Sequence, residues 1–320
     1  MPNRVNLPHL PNKECLITTH DEIRAAFVAQ ALEKSRIASP YIQEARQLQA
    51  AASVARTARG LLDINGIRPA LLTAAGVSDK STQNIPVEAQ TDAINGLIRE
   101  YLEPAGDNFV EELVFRFLLT CGGTISGSMN NIVGNWARQR ISSAIMGSLR
   151  NSNIPFYWYD RETKIWSESP NTNREDANII TRVKGISWIR NGQNRTLIFD
   201  IKVPIVDKNV DINLINCSRT ELQRAKKTPN LYLALGELKG GIDPAGADER
   251  WKTTKSALND IRSKFAREEA FPAICFIAAA ISNRMADEIW ERLQNETLKN
   301  TANLTDTRQL ASICNWLSNL

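Results

Sequence analysis

A change in hydrophobic periodicity near residue 155 sets the fold class of this 320-residue chain. Before that point, apolar residues recur every three or four positions, as on one face of a helix, for example over 21–35 and 86–103. After it, short alternating or wholly apolar segments predominate, which is typical of strands. The order of these segments predicts an α/β fold, with a mixed central sheet flanked by helices and a helical N-terminal region before it.

The helical region is predicted to contain several separate helices. Ser39 followed by Pro40 predicts a helix start, because serine is a frequent N-cap and proline fits the first helical position. Asp107 predicts another start, and Gly122-Gly123 predicts the end of that helix before a further one over 131–149.

The remainder of the chain is predicted to supply the sheet. Asn191-Gly192 is the strongest hairpin signal, and it lies between predicted strands over 183–190 and 196–202. A first hairpin is predicted around the polar turn 160–163. Further strands are predicted over 210–215, 231–238 and 273–280, and helices over 248–267, 283–295 and 305–317.

Histidine and cysteine usage restricts the chemistry. The two histidines, His9 and His20, lie near the N-terminus, which argues against nuclease sites built on several histidines and against most Ser-His-Asp hydrolases. Five scattered cysteines with no CxxC pair argue against a disulfide framework and a structural zinc. Cys121, Cys217 and Cys275 lie in apolar surroundings, so we expect buried thiols. Hydrolysis would then rely on carboxylates, lysine and a metal.

Charge and hydropathy give weaker indications. The net charge of +4 is compatible with a nucleic-acid partner but does not establish one. No segment approaches the roughly 18 to 20 apolar residues of a membrane helix, and the N-terminal residues contain no apolar segment of secretory type. We therefore expect a cytoplasmic protein without a membrane partner.

The chemistry-bearing residues lie in two predicted strands. Asp211 stands in the apolar segment 209–215, and Glu237 and Lys239 end the segment 231–239. Residues two apart in a strand point the same way, so Glu237 and Lys239 share a face, and a neighbouring strand could present Asp211 beside them. Two carboxylates would hold Mg²⁺, and the lysine would orient or deprotonate the attacking water and contact a phosphate. The pattern favours phosphodiester hydrolysis.

Pattern alone leaves a plain alternative open. An acidic and a basic residue two apart are also common on a solvated strand face. The exit Gly240-Gly241 favours a site, since glycines let a backbone approach closely. A second D-x-K pair, Asp200 and Lys202, lies in a hairpin arm and is interpreted as structural.

A longer motif carries a resemblance. The segment GELKGGIDPAGADE (236–249), followed by Trp251-Lys-Thr253, closely resembles restriction endonucleases of the AvaI/BsoBI type. Lys202-Val-Pro204, Asn209-Val-Asp211, the length and the helical first half fit the same family. The resemblance implies a bacterial Type II enzyme with the PD-(D/E)XK fold, acting with Mg²⁺ as a homodimer around double-stranded DNA. It also implies cleavage of the palindrome CYCGRG to leave 5′ overhangs, and a cognate methyltransferase.

The same resemblance assigns residues and domains. Asp211, Glu237 and Lys239 match the catalytic residues, with the two carboxylates as metal ligands. Residues 1–105 would be a mainly helical region that embraces DNA, and 106–320 the catalytic nuclease domain.

Base contacts are implied at Lys208 and Asp243, and Lys80 is expected to reach the minor groove. Lysine can donate to guanine O6 and N7, and aspartate can accept from cytosine N4. For each of these residues, a solvated loop charge is the alternative.

One position departs from the family. Where the family has a histidine before Trp251, this chain has Arg250. Arginine cannot accept a proton under ordinary conditions, although it can bind phosphate with two parallel hydrogen bonds. Arg250 could be an accessory residue that positions a phosphate, it could make cleavage slow, or it could tune specificity. General-base work would fall to Lys239 or to a water activated by the metal.

Two other functions stay open. One is a repair or recombination nuclease that reads DNA structure. The other is a sequence-specific DNA-binding protein whose cleavage is impaired by Arg250.

Overall fold

The computed structural model describes residues 5, 7–77, 79–82, 84–169 and 179–320, without the side chains of 79–80 and 127–132. The chain forms two compact units. The sheet unit combines Met1–Phe27 with Asn131–Leu320, and the helical unit is Val28–Asn130. These bounds differ from the predicted domains 1–105 and 106–320. The predicted domains concern DNA contact and catalysis rather than compactness, so they stay a prediction.

Helices account for most of the helical unit. They are the later part of α1 (His20–Ala52), then α2 (Arg68–Ala74), α3 (Asp79–Thr82), α4 (Val87–Leu97) and the first part of α5 (Phe109–Asn151). A wider helical turn, Ile98–Leu102, continues α4, so the helix predicted over 86–103 is confirmed. The core of the unit is formed by buried apolar side chains, among them Leu61, Leu71, Ile94, Leu102, Leu113 and Phe117.

Two predicted helix boundaries are wrong. Pro40 lies inside α1, where Ser39 is no cap, because its hydroxyl donates to the carbonyl of Ser35 at 3.1 Å. Proline removes one backbone N–H, and the helical turns on both sides keep theirs. Gly122 and Gly123 lie inside α5. A glycine ends a helix by adopting a positive φ, and neither does so here.

One mixed sheet organises the sheet unit. Its strands are β1 (Phe156–Asp160), β2 (Trp166–Glu168), β3 (Val183–Arg190), β4 (Gln193–Val203), β5 (Lys208–Ile215), β6 (Tyr232–Lys239), β7 (Ala273–Ala278) and β8 (Asn300–Asn303). Within the described residues they lie in the order β2-β1-β3-β4-β5-β6-β7-β8. Neighbours are antiparallel as far as β6, whereas β6, β7 and β8 run parallel. The sheet therefore changes character at β6.

Helices cover both faces of this sheet, as predicted. The remaining helices are α6 (Leu222–Ala225), α7 (Ala247–Arg267), α8 (Asn283–Gln294) and α9 (Thr307–Asn319). One core joins the sheet to α7 and α8 through side chains such as Trp251, Phe265 and Ile289. The other joins it to α9 and the last part of α5 through side chains such as Ile141, Ile145 and Ile313. An α/β architecture with helix-covered sheet is thus confirmed.

Local turn chemistry also agrees with the sequence. The hairpin at Asn191-Gly192 is confirmed, with φ of 48° and 74°, values that asparagine and glycine tolerate best. Strand β8 was not predicted from the sequence, because Asn300–Asn303 is short and polar. All four residues are nevertheless buried beside β7. Its polar groups are satisfied internally, for example by the bond from the Thr301 hydroxyl to the carbonyl of Phe276 at 2.8 Å.

Composition-based expectations can be compared directly with the structure. Cys121, Cys217 and Cys275 are buried, as predicted. Burial raises the pKa of the Cys275 thiol to about 12, so it behaves as an apolar core group. Among the described residues, no helix combines the length and apolar character required to cross a membrane.

Close packing of β6 on β7 generates a testable prediction. A Cβ added at Gly236 would lie 2.7 Å from the carbonyl oxygen of Cys275 and would also overlap its sulfur. We expect Gly236→Ala to lower the free energy of unfolding by about 1–3 kcal/mol through overpacking, measured by denaturant unfolding. Gly147→Ala is the control, because Gly147 lies in α5 with open space around its Cα. There alanine should stabilise by about 0.5–1 kcal/mol, and equal effects at both positions would contradict the packing argument.

Candidate active site

Strand register brings Asp211 beside Glu237. Strands β5 and β6 are antiparallel with Ile212 opposite Gly236, and the same offset sets Asp211 opposite Glu237. Lys239 follows two residues later on the same face of β6. The structure therefore unites the three residues that the sequence singled out, whereas their catalytic role stays a prediction.

Lys239 joins the two carboxylates. Its Nζ donates to Asp211 Oδ2 at 2.9 Å and to Glu237 Oε2 at 2.6 Å. The backbone N–H of Leu238 donates to the same Asp211 oxygen at 2.9 Å, which fixes that carboxylate against β6. The carboxylates are thus held by one ammonium and one amide of a single strand.

Burial sets the electrostatics of this group. Glu237 is only 6% exposed, and burial together with the charge of Asp211 raises the pKa of Glu237 to about 7, against the opposing effect of Lys239. Burial lowers the pKa of Lys239, but the charges of Glu237 and Asp211 outweigh it and leave that pKa raised. In this arrangement Lys239 is a cation and a hydrogen-bond donor rather than a free base.

The two carboxylates fit a hard divalent cation. Their mutual repulsion contributes to the raised pKa of Glu237, and a cation between them would relieve it. Among the described residues, no group of three or more histidine, cysteine or acidic side chains could hold a metal. Mg²⁺ does not require such a group, since it usually retains several waters and takes only one or two protein carboxylates.

Helix α5 passes directly over the point where β6 ends. A Cβ at Gly240 would lie 2.5 Å from the carbonyl oxygen of Val133 and 2.8 Å from the Cβ of Ala137. The close backbone approach predicted for the Gly240-Gly241 exit is therefore present at Gly240. It brings side chains of α5 next to the end of β6, where Lys239 lies.

The predicted base-contacting residues make no contact with Asp211, Glu237 or Lys239 among the described hydrogen bonds and ion pairs. Lys208 begins β5, three residues before Asp211, and its Nζ contacts Asp260 Oδ2 on α7 at 2.9 Å. Asp243 is exposed in the loop 240–246, where its Oδ1 accepts from the backbone N–H of Ala245 at 3.1 Å. The side chain of Lys80, in α3, lies outside the described residues. Base contact stays a prediction for all three.

Arg250 contacts the loop that carries Asp243. Its Nη2 donates to the carbonyl oxygen of Asp243 at 2.5 Å, and the guanidinium packs against Gly241 and Gly246. A Cβ at Gly246 would lie 2.5 Å from Arg250 Nη1, so a larger residue there would displace the guanidinium from its present position. The described hydrogen bonds of Arg250 thus hold the 240–246 backbone.

The second D-x-K pair has separate partners. Lys202 Nζ contacts Asp207 Oδ1 at 2.6 Å, and both side chains are well exposed. Asp200 accepts from Lys184, at 2.7 Å to its backbone carbonyl and 3.3 Å to its carboxylate. Neither residue contacts Asp211, Glu237 or Lys239 through a described hydrogen bond or ion pair, and the structural role of the pair stays a prediction.

Sequence reasoning missed three cations beside the site. Arg138 lies on α5, Arg161 follows β1 and Lys184 lies on β3. They are far apart in sequence and match no motif. The glycine exit at Gly240 was the one available signal, since it predicted that some other backbone packs there.

Comparisons with known proteins identify the family. The sequence model of the family described as restriction endonuclease BsobI matches residues 7–320. The chain belongs to this family. It is 47% identical over 314 residues to the Type II restriction enzyme BsoBI of Geobacillus stearothermophilus, covering 98% of this chain and 97% of that one. It is 46% identical over 313 residues to the Type II restriction enzyme AvaI of Nostoc sp., covering 98% of each chain. The resemblance is confirmed.

The contact of Arg250 with the loop gives a second prediction for this BsobI-family chain. Arg250→Ala removes the donor to the Asp243 carbonyl, so backbone amides in 240–246 should exchange hydrogen faster, measured by mass spectrometry. Lys252→Ala is the matched control, because Lys252 pairs on the surface with Glu249 at 3.0 Å. Unchanged exchange in the Arg250 variant would show that the loop is held by other contacts.

Proposed function

We propose that this protein is a Type II restriction endonuclease that hydrolyses phosphodiester bonds in duplex DNA at a palindromic site, with Mg²⁺ as cofactor. The observation that carries the proposal is the convergence of Asp211, Glu237 and Lys239 on neighbouring strands. Close identity to Type II restriction enzymes over nearly the whole chain supports it.

Each residue has a role in this chemistry. Mg²⁺, when bound, supplies charge neutralisation at the phosphate and lowers the pKa of water. Asp211 and Glu237 would hold it, with Asp211 oriented by the N–H of Leu238 at 2.9 Å. Lys239, a protonated donor between the carboxylates, would orient the attacking water and donate to a phosphate oxygen.

Several finer features belong to the same proposal. A mixed sheet with its carboxylates where antiparallel pairing gives way to parallel supports a PD-(D/E)XK fold. We infer a homodimer on a two-fold symmetric site, CYCGRG, cut to leave 5′ overhangs, because a palindrome matches two identical subunits. Residues 1–105 would embrace the DNA and 106–320 would cut it. A cognate methyltransferase would protect the host sites.

Cleavage of a long DNA of known sequence tests the chemistry. Fragments ending at CYCGRG should form in Mg²⁺ and be absent in EDTA. Glu237→Ala should lower the cleavage rate at least about a hundredfold, because even residues that only support metal ligands cost 10- to 100-fold. Glu291→Ala, on the exposed surface of α8, is the control and should cut normally.

Other outcomes separate the alternatives. Cuts at many unrelated positions would favour a nuclease that reads DNA structure. Tight binding to CYCGRG without cleavage would favour a DNA-binding protein whose chemistry is impaired by Arg250. Full activity in EDTA would contradict the metal site.

Specificity can be tested separately at the predicted base contacts. Lys208→Ala and Asp243→Asn should each relax discrimination at one base pair by about 1–3 kcal/mol, measured as kcat/KM ratios on single-substituted sites. Folding should change little, because the exposed pair of Lys208 with Asp260 contributes at most about 1 kcal/mol. A uniform loss over all sites would instead indicate a phosphate contact.

A further inference from the structure

A cluster of cations lies beside the catalytic carboxylates in the sheet unit. Arg138, Arg161 and Lys184 are close enough for their charges to act on one another. Asp200 and Asp211 are the carboxylates whose charges act on Arg138. Because Asp211 is already engaged by Lys239 and the Leu238 N–H, the cluster carries more positive than negative charge.

The three cations of this cluster differ in their hydrogen-bond partners. Lys184 is bound to Asp200, at 2.7 Å to its carbonyl and 3.3 Å to its carboxylate. Arg161 Nη2 donates to Asn135 Oδ1 at 2.8 Å. Arg138 donates to no residue in the part of the chain that the structure describes.

The position of Arg138 on α5 places it near the end of β6. Arg138 follows Ala137, whose Cβ lies where α5 meets Gly240, one residue beyond Lys239. It is half-buried, and burial, aided by the charge of Arg161, lowers its pKa. Arginine nevertheless stays protonated under ordinary conditions. A half-buried guanidinium that donates to no described residue has its N–H groups available for an incoming anion.

We propose that Arg138 binds a backbone phosphate of the DNA beside the catalytic carboxylates. The inference rests on the proposed function, since it takes DNA as the ligand. Two parallel N–H donors match two phosphate oxygens, and Arg161 and Lys184 add positive charge around the same phosphate. Arg138 would thus fix the strand relative to Asp211 and Glu237.

Binding measurements in EDTA test the contact without cleavage. Arg138→Gln should bind duplex DNA containing CYCGRG about ten- to a hundredfold more weakly than wild type. The slope of log K against log salt should fall in magnitude by about 0.9, the value for one lost phosphate contact on duplex DNA. Arg138→Lys should restore most of the slope, since it keeps the charge, but only part of the affinity.

A matched arginine separates binding from structure. Arg195 is buried more fully than Arg138, and it donates to Asn216 Oδ1, Gln193 Oε1 and the carbonyl of Leu320 at 2.9, 2.8 and 2.7 Å. Arg195→Gln should lower the melting temperature, whereas Arg138→Gln should leave it unchanged or raise it by removing repulsion from Arg161. A fall in melting temperature for Arg138→Gln, with an unchanged salt slope, would overturn the inference in favour of a structural role.

A chemically altered DNA locates the phosphate. Single uncharged methylphosphonate linkages are placed in turn at the phosphates around the cleaved bond. Wild type should lose affinity at several positions, and Arg138→Gln should be insensitive at one of them. Equal sensitivity of both proteins at every position would overturn the inference while wild-type cleavage upholds the proposed function. A wild type that neither binds nor cuts duplex DNA would overturn both.

Discussion

The antiparallel register of β5 and β6 is the constraint on which the candidate site depends. Side chains alternate between the faces of a strand, so a slip of one residue would move Asp211 to the face opposite Glu237 and Lys239. Two features oppose such a slip. Ile212 and Leu214 are fully buried in the core, and Asp211 itself accepts from the Leu238 N–H at 2.9 Å. The same register that packs the core therefore brings together the three proposed catalytic residues.

The cluster of Asp211, Glu237 and Lys239 has an electrostatic cost to the stability of the fold. Burial of Glu237, with partial burial of Asp211 and Lys239, removes part of their hydration, and the attraction between the charges seldom returns the whole cost. The pKa of Glu237, raised to about 7 despite a hydrogen bond of 2.6 Å from Lys239, reflects an incompletely compensated charge. An apolar set of similar volume would stabilise β6 at least as well. The proposed Mg²⁺ would supply the positive charge that Lys239 alone does not provide.

The features that could be predicted from the sequence are those that depend on residues close together in the chain. The Asn191-Gly192 hairpin, the strands and the shared face of Glu237 and Lys239 follow from local backbone preference and alternation. Helix boundaries failed at Pro40 and at Gly122-Gly123, because a favourable stop signal does not end a helix whose flanking turns keep their hydrogen bonds. The sequence indicated only that a neighbouring strand could present Asp211, so the pairing of β5 with β6 was one possibility. Gly240 indicated that some backbone packs closely there, but not that it belongs to α5.

Arg138 shows why the rest of the proposed site could not be predicted from sequence motifs. It lies about a hundred residues before Glu237 in the sequence, and only the close approach of α5 at Gly240 brings it to the carboxylates. Lys239 and Arg138 then differ in one decisive respect. The lysine has two carboxylate acceptors within 3 Å, so it orders the site before any ligand arrives. The arginine has a planar set of donors and no acceptor among the described residues. Lys239, which is hydrogen-bonded within the protein, holds the two carboxylates in place. Arg138 has donors left over, and in the proposed complex these bind the incoming phosphate.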